Sequence, residues 1–244
     1  LGSSQITFVS NLTFTGEGWN TIFTSTLTTA DIMSGSSLTN VVLKDFWLQG
    51  PAGTYTLGSD AIAFESTNGL IIEHVKVTNP SAECILINSS NNVTVTGCSV
   101  QCTDALQGHG IQFNFASHNI KVKNNFVTYC KDGIGFWSDG GACYNAVIEG
   151  NILEGFGNAG ITINLGYMIT ISGNNIITDV PNVVGATGRI GISLGPVNAV
   201  IVEGNSILGI TNSGNSGIKI STGGPNNVTI SNNIVTSHVT SGLA

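Results

Sequence analysis

Positive charge is scarce in this sequence: seven Lys and Arg stand against 14 Asp and Glu, and only 9% of residues are charged. Binding nucleic-acid phosphates takes clustered cations, so a nucleic-acid partner is excluded, and an anionic membrane surface is disfavoured on the same ground. No apolar run approaches the roughly 20 residues of a membrane-spanning helix, so no membrane insertion is expected. The chain starts at Leu1 without a charged-then-apolar leader, and reads as a mature or trimmed product. Proline is also sparse, at five. The five cysteines are an odd number without metal-finger spacing. Cys98-x-x-x-Cys102 has the form of half a zinc site, but the repeat described next puts Cys98 in an interior slot. Buried, inert thiols are expected, with no metal and no other cofactor.

What the chain does have is 32 Gly and a surface vocabulary of Asn, Ser and Thr, the composition of a turn-rich all-β protein. An internal repeat organises it. The apolar residues Phe14, Leu43, Ile72, Val95, Val122, Ile148, Ile171, Val202 and Ile230 recur at gaps of 29, 29, 23, 27, 26, 23, 31 and 28 residues, as turns of a solenoid do. Two residues after this anchor stand Gly16, Gly97, Asn124, Gly150, Gly173, Gly204 and Asn232, with Asp45 and His74 departing. Gly and Asn enter the left-handed backbone region cheaply, so each coil is expected to turn a corner there. One residue later Asn125, Asn151, Asn174, Asn205 and Asn233 predict a stacked column of amides.

Five residues after the anchor the slot is apolar every time, from Trp19 and Leu48 to Ile207 and Val235, which predicts a second, inward-pointing strand. A third strand alternates as Ile62/Phe64, Ile85/Ile87, Ile111/Phe113, Ile134/Phe136, Ile161/Ile163, Ile192/Leu194 and Ile218/Ile220, its paired residues facing the core. Three short strands per coil, each about 4.8 Å from its equivalent in the next, give an all-β solenoid of about nine coils and roughly 40 Å. Residues 1–244 read as one parallel β-helix domain. Ser241-Gly242-Leu243-Ala244 looks like the opening of another coil, which leaves open a longer chain.

The arrangement resembles the pectin-lyase-like superfamily of right-handed parallel β-helices. The carriers are the Asn column, the segments Asn119–Asn125 and Asn227–Asn233, and the opening Asn11–Trp19. The resemblance implies right-handed coiling, in line with the general handedness of parallel crossovers. Gly108-His109-Gly110 is similar to the Gly-His-Gly motif of the polygalacturonase family, and Gly217-Ile218-Lys219-Ile220 to its Arg-Ile-Lys motif. That family carries paired aspartates one coil before the His, where this chain has Glu83-Cys84, so its activity is not assigned. Lyases of the superfamily use Arg or Lys as base with Ca²⁺, and no acidic calcium cluster is legible. Four Asn-x-Ser/Thr sequons, at Asn11, Asn88, Asn92 and Asn227, are read as structural Asn in the repeat.

Chemistry must be sought in residues that break the pattern. Two positions before each Ile of the third strand, on what is expected to be an exposed outer edge, stand Asp60, Glu83, His109 and Asp132 in four successive coils. Carboxylates about 5 to 5.5 Å apart suit a retaining glycosidase and about 6.5 to 9.5 Å an inverting one, while an imidazole between them can shuttle a proton. On the opposite rim Glu65, Asn88, Asn114 and Trp137, with Gln112 facing out from the strand, offer hydrogen-bonding groups and a ring platform for sugar. Two functions remain. One is a secreted or surface protein that binds a polysaccharide and, if it is an enzyme, cleaves it as a glycoside hydrolase or polysaccharide lyase. The other is a non-catalytic module of a surface layer, fibre, adhesin or viral tail, displayed outside the cell or on a virion and assembling as a homo-oligomer or in a larger array.

Overall fold

The computed structural model describes residues 4–51, 56, 58–102, 107–137, 140–178, 189–209, 216–221 and 226–236. Ser241–Ala244 lie outside the described residues. Among those residues every regular element is a β-strand, and no helix is long and apolar enough to cross a membrane.

All strand pairs are parallel and follow the repeat. The alternating strands Met33–Ser36, Ile62–Glu65, Ile85–Asn88, Ile111–Asn114, Asp132–Phe136, Ala159–Ile163 and Ile190–Leu194 stack between the end strands Ile6–Thr7 and Ser216–Ile220 in one nine-stranded sheet. Seven turns of the solenoid therefore have a neighbour on both sides; the nine counted in the sequence include the two end coils. The other two faces form a single 16-stranded network. They join because Thr39–Gln49 and Asn68–Thr78 each run unbroken through the corner where other coils break into two strands.

The core is the column of inward residues. From Ile62 and Phe64 through Ile192 and Leu194 the alternating pairs are buried, and Val95, Val122, Ile148, Ile171 and Val202 close the opposite wall. Fully burying a large aliphatic chain is worth about 1.5–3 kcal/mol, so this column is the main stabilising term.

The expected amide column is present. The Nδ2 groups of Asn125, Asn151, Asn174 and Asn205 each donate to the Oδ1 of the next Asn at 2.9 Å. The backbone N–H of the same four residues donates to that oxygen at 3.0 Å. Cys98 heads the column, its N–H donating to Asn125 Oδ1 at 2.9 Å. Asp45 and His74, the two departures at the corner, adopt the left-handed conformation there all the same, with φ of 58° and 51°.

Two sequence expectations change. Trp19 is 45% exposed and does not fill the inward slot. Phe23 does, pairing with Leu48, because the first coil carries four extra residues before its strand. A second corner, which the repeat reading did not include, lies three residues before each anchor, where Asn11, Asn40, Asn92, Asn119, Asn145 and Asn227 all have positive φ. Amide contacts such as Asn92 Nδ2 to Asn68 Oδ1 at 2.8 Å and Asn145 Nδ2 to Asn119 Oδ1 at 2.6 Å build an exposed column there. Three of the four sequon asparagines, Asn11, Asn92 and Asn227, belong to this corner, which accounts for them structurally.

Candidate functional site

The nine-stranded sheet positions the titratable residues. Each sits just before or at the start of its strand, so the coil stacking lines them up at one repeat position. The line begins one coil earlier than expected, at Asp31, two residues before Met33, the register partner of Ile62. Met33-Ser34-Gly35 does not look like the Ile-x-Ile pairs, which is why the repeat missed it.

These residues are not on an exposed edge. Asp60, Glu83, His109 and Asp132 are 2%, 5%, 9% and 0% exposed, which overturns that expectation. The cause is a local hydrogen bond: a carboxylate before a strand turns back to accept the backbone N–H of the next coil. Asp31 Oδ1 accepts from Asp60 N, Asp60 Oδ1 from Glu83 N and Asp132 Oδ1 from Ala159 N, each at 3.1 Å.

At the centre is His109. Its Nδ1 lies 3.2 Å from Glu83 Oε1 and its Nε2 lies 3.2 Å from Asp132 Oδ2. The first contact is a hydrogen bond. The second is close enough for an ion pair but poorly aligned, so His109 Nε2 and Asp132 Oδ2 both lack a hydrogen-bond partner. The other oxygen of Asp132 is anchored by three donors, Asn158 Nδ2 at 2.7 Å, Thr162 Oγ1 at 3.0 Å and Ala159 N. Gly108 and Gly110 make this packing possible, since a Cβ on either would collide with the carbonyl of Ala82 or of Gly133.

The electrostatics follow from burial and proximity. The carboxyl of Asp60 is pushed up to about 9, first by burial, then by its hydrogen bond and charge repulsion with Glu83 and the charge of Asp31. Burial would also raise Glu83, but hydrogen bonds from His109 and Asp60 outweigh it and hold Glu83 below its ordinary value. Burial opposes protonation of His109, yet Asp132 and Glu83 carry it up to about 9. Near neutral pH Asp60 holds a proton, Glu83 is ionised and His109 is an imidazolium.

The expected sugar-contacting residues divide. Trp137 packs against His109, ring centroids 5.4 Å apart, and its indole lies over Gly135, where an added Cβ would come within 2.6 Å of Nε1. Gln112 and Asn114, expected in an open groove, are instead 7% and 6% exposed, Gln112 Nε2 donating to Asn114 Oδ1 at 3.1 Å. Asn88 is half-buried and Glu65 exposed. Asn88 Oδ1, Gln112 Oε1 and Trp137 Nε1 have no hydrogen-bond partner, which is unusual for buried polar atoms. Beside Asn88 opens a cleft of about 410 Å³, lined also by Asp31, Asp60, Glu65 and Leu86 and reached by neither Gln112 nor Trp137. Lys219 is exposed and four coils beyond His109, and Arg189 is held by the Thr178 carbonyl at 2.6 Å, so neither reaches the group.

All five cysteines are buried, Cys98 in the interior slot that the repeat gave it. Burial pushes the Cys98 and Cys143 thiols up to about 12. Spacing did not reveal that Cys84, Cys102 and Cys130 converge, behind the strand that carries His109.

Fold and site together define a parallel β-solenoid with a buried acid–imidazole–acid group on one sheet. The chain belongs to the right-handed β-helix family, whose model matches residues 2–186. Similar structures include the enzymatically active domain of bacteriophage CBA120 tailspike protein 2, with TM-score 0.64, 18% identity, and 95% of this chain and 38% of that one covered. The Streptococcus pneumoniae surface adhesin PfbA gives TM-score 0.69 and 14% identity over 97% of this chain and 73% of that one. Polygalacturonase from Erwinia carotovora gives 0.54 and 11% over 94% and 86%. At these identities the likeness is one of fold, and the chain spans well under half of the tailspike domain. No curated protein matches the chain.

Proposed function

We propose that this chain binds a glycan over the outer face of its nine-stranded sheet, from the Asp60 cleft to Trp137, and that the Asp60–Glu83–His109–Asp132 group hydrolyses it. One observation carries the reading: Asn88 Oδ1, Gln112 Oε1 and Trp137 Nε1, on or beside three successive strands of this sheet, have no hydrogen-bond partner. Both acceptors and donors are among them, and the hydroxyls of a sugar supply both. The cleft, at about 410 Å³, is of ligand size by the roughly 300–1,000 Å³ of small-molecule sites. The indole of Trp137 covers His109 and is the ring face a sugar stacks on or displaces.

The chemistry is acid–base. Glu83 and Asp132 stand on opposite edges of the imidazole, each 3.2 Å from one of its nitrogens. Asp60 and His109 hold the protons a leaving oxygen needs, and Glu83 is the base for water. The tailspike and polygalacturonase likenesses support a glycan as partner and a cell-exterior or virion-surface setting.

A glycan-array screen of the chain tests binding. Trp137→Ala is expected to weaken the best hit about fivefold, in keeping with ~1 kcal/mol for an aromatic contact. Glu83→Gln is expected to retain binding and lose turnover, with a thermal melt to show that the variant folds. The competing reading, a non-catalytic surface module, is favoured by the burial of the group and by the backbone amides its carboxylates satisfy, and it has a counterpart in the adhesin likeness. An array without a single hit would establish it over ours.

A further inference from the structure

On the core side of the Gly108-His109-Gly110 strand, three sulphurs meet. Cys84 Sγ lies 3.3 Å from Cys102 Sγ, which lies 2.8 Å from Cys130 Sγ, and all three sulphurs are within 4.8 Å of one another. The side chains come from three separate places in the chain. Cys84 follows Glu83, Cys102 ends the coil of the Ser99–Gln101 strand, and Cys130 ends the next coil after Tyr129, whose φ of 57° breaks the strand and turns the following residue. All three residues are at most 1% exposed. Glycines hold the space open, a Cβ on Gly108 coming within 3.4 Å of Cys102 Sγ and one on Gly110 within 3.2 Å of Cys130 Sγ.

Packing alone does not call for this. An apolar slot is filled elsewhere in the core by Ile or Val, and Cys98 and Cys143 sit singly in theirs. Three thiols aimed at one point supply the soft donors that select soft cations. No fourth His, Cys, Asp or Glu joins the group among the described residues, whereas structural zinc takes four ligands. We infer that Cys84, Cys102 and Cys130 form a three-coordinate thiolate site for one soft monovalent metal cation of the Cu(I) type. Binding displaces the three thiol protons.

The test uses reduced protein titrated anaerobically with Cu(I) as its acetonitrile complex. Expected are one equivalent bound, a thiolate-to-metal charge-transfer band in the near ultraviolet, and protection of three of the five thiols from alkylation in mild denaturant. Cys102→Ser and Cys130→Ser are expected to lose at least about tenfold in affinity, with Cys98→Ser and Cys143→Ser unchanged. Alkylation protection is read on the unmodified chain, so a variant that fails to fold leaves the test intact. Three outcomes would overturn the site: no Cu(I) bound, full binding by Cys102→Ser, or a Cys102–Cys130 disulfide in protein purified in air without reductant, which would make the trio a covalent staple instead.

Discussion

Two columns of polar side chains run along this solenoid, and they are built to opposite standards. In the amide column each Asn between Asn125 and Asn205 both donates and accepts; Asn174, for one, donates to Ile148 O and Asn205 Oδ1 and accepts two bonds from Asn151. In the titratable column His109 Nε2 and Asp132 Oδ2 face each other at 3.2 Å without an aligned hydrogen bond, and the neighbouring Gln112 Oε1 has no partner. A buried polar atom without a partner costs about 1–3 kcal/mol. The chain shows in the first column that its coils can satisfy every polar atom, so the unpaired atoms of the second are not a limit of the fold. They mark where stability is given up for something else.

The sharpest way to break this comparison is Asn174→Leu, which removes four buried side-chain hydrogen bonds. We expect it to cost about 3 kcal/mol or more, read as a lower urea midpoint. A loss under about 1 kcal/mol would remove the contrast. Next is Gly135→Ala, whose methyl must push the indole of Trp137 off the strand. About 1–3 kcal/mol is expected from such overpacking, with a red-shifted tryptophan emission.

pH separates the columns further. Asp60 and His109 both have a higher pKa in the fold than in the unfolded chain, so the stabilisation they give is complete below their unfolded values of 3.8 and 6.5 and is lost as pH climbs through about 9. The melting temperature is expected to fall from about pH 4 to 9, more steeply above about pH 6.5 where both groups contribute, and His109→Gln to flatten the slope between about pH 6.5 and 9. Asn174→Leu should shift the whole curve without changing that slope. The smallest effect is expected from Gln112→Leu, which removes one hydrogen bond and one unpaired oxygen together. Its stability should stay within about 1 kcal/mol of the parent, while glycan affinity falls.

The sequence made one column far easier to read than the other. The Ile pairs and the Asn series were legible because a solenoid writes the same environment repeatedly, and repetition averages out the ambiguity of any single residue. The alignment of Asp60, Glu83, His109 and Asp132 was legible for the same reason. Their burial was not, because period-two alternation says which way a side chain leaves the strand and nothing about a carboxylate folding back onto the next coil's N–H. Asp31 escaped because Met33 and Gly35 are poor copies of the repeat. Cys84, Cys102 and Cys130 were invisible to spacing rules, which look for ligands close in sequence, whereas stacking brings together residues 18 and 28 apart.

All the strand pairs being parallel and stacked one coil on the next has a mechanical consequence. The inter-coil hydrogen bonds lie along the long axis, while the covalent backbone runs around it. A force pulling the two ends apart meets the bonds of one coil at a time and should peel the molecule stepwise at modest load. A force across the axis strains the backbone of every coil it touches and many ladder bonds in shear at once. The chain is thus a directional material, soft to being unwound from an end and stiff to being bent or flattened, and a single-molecule pull from two attachment geometries would read the difference directly.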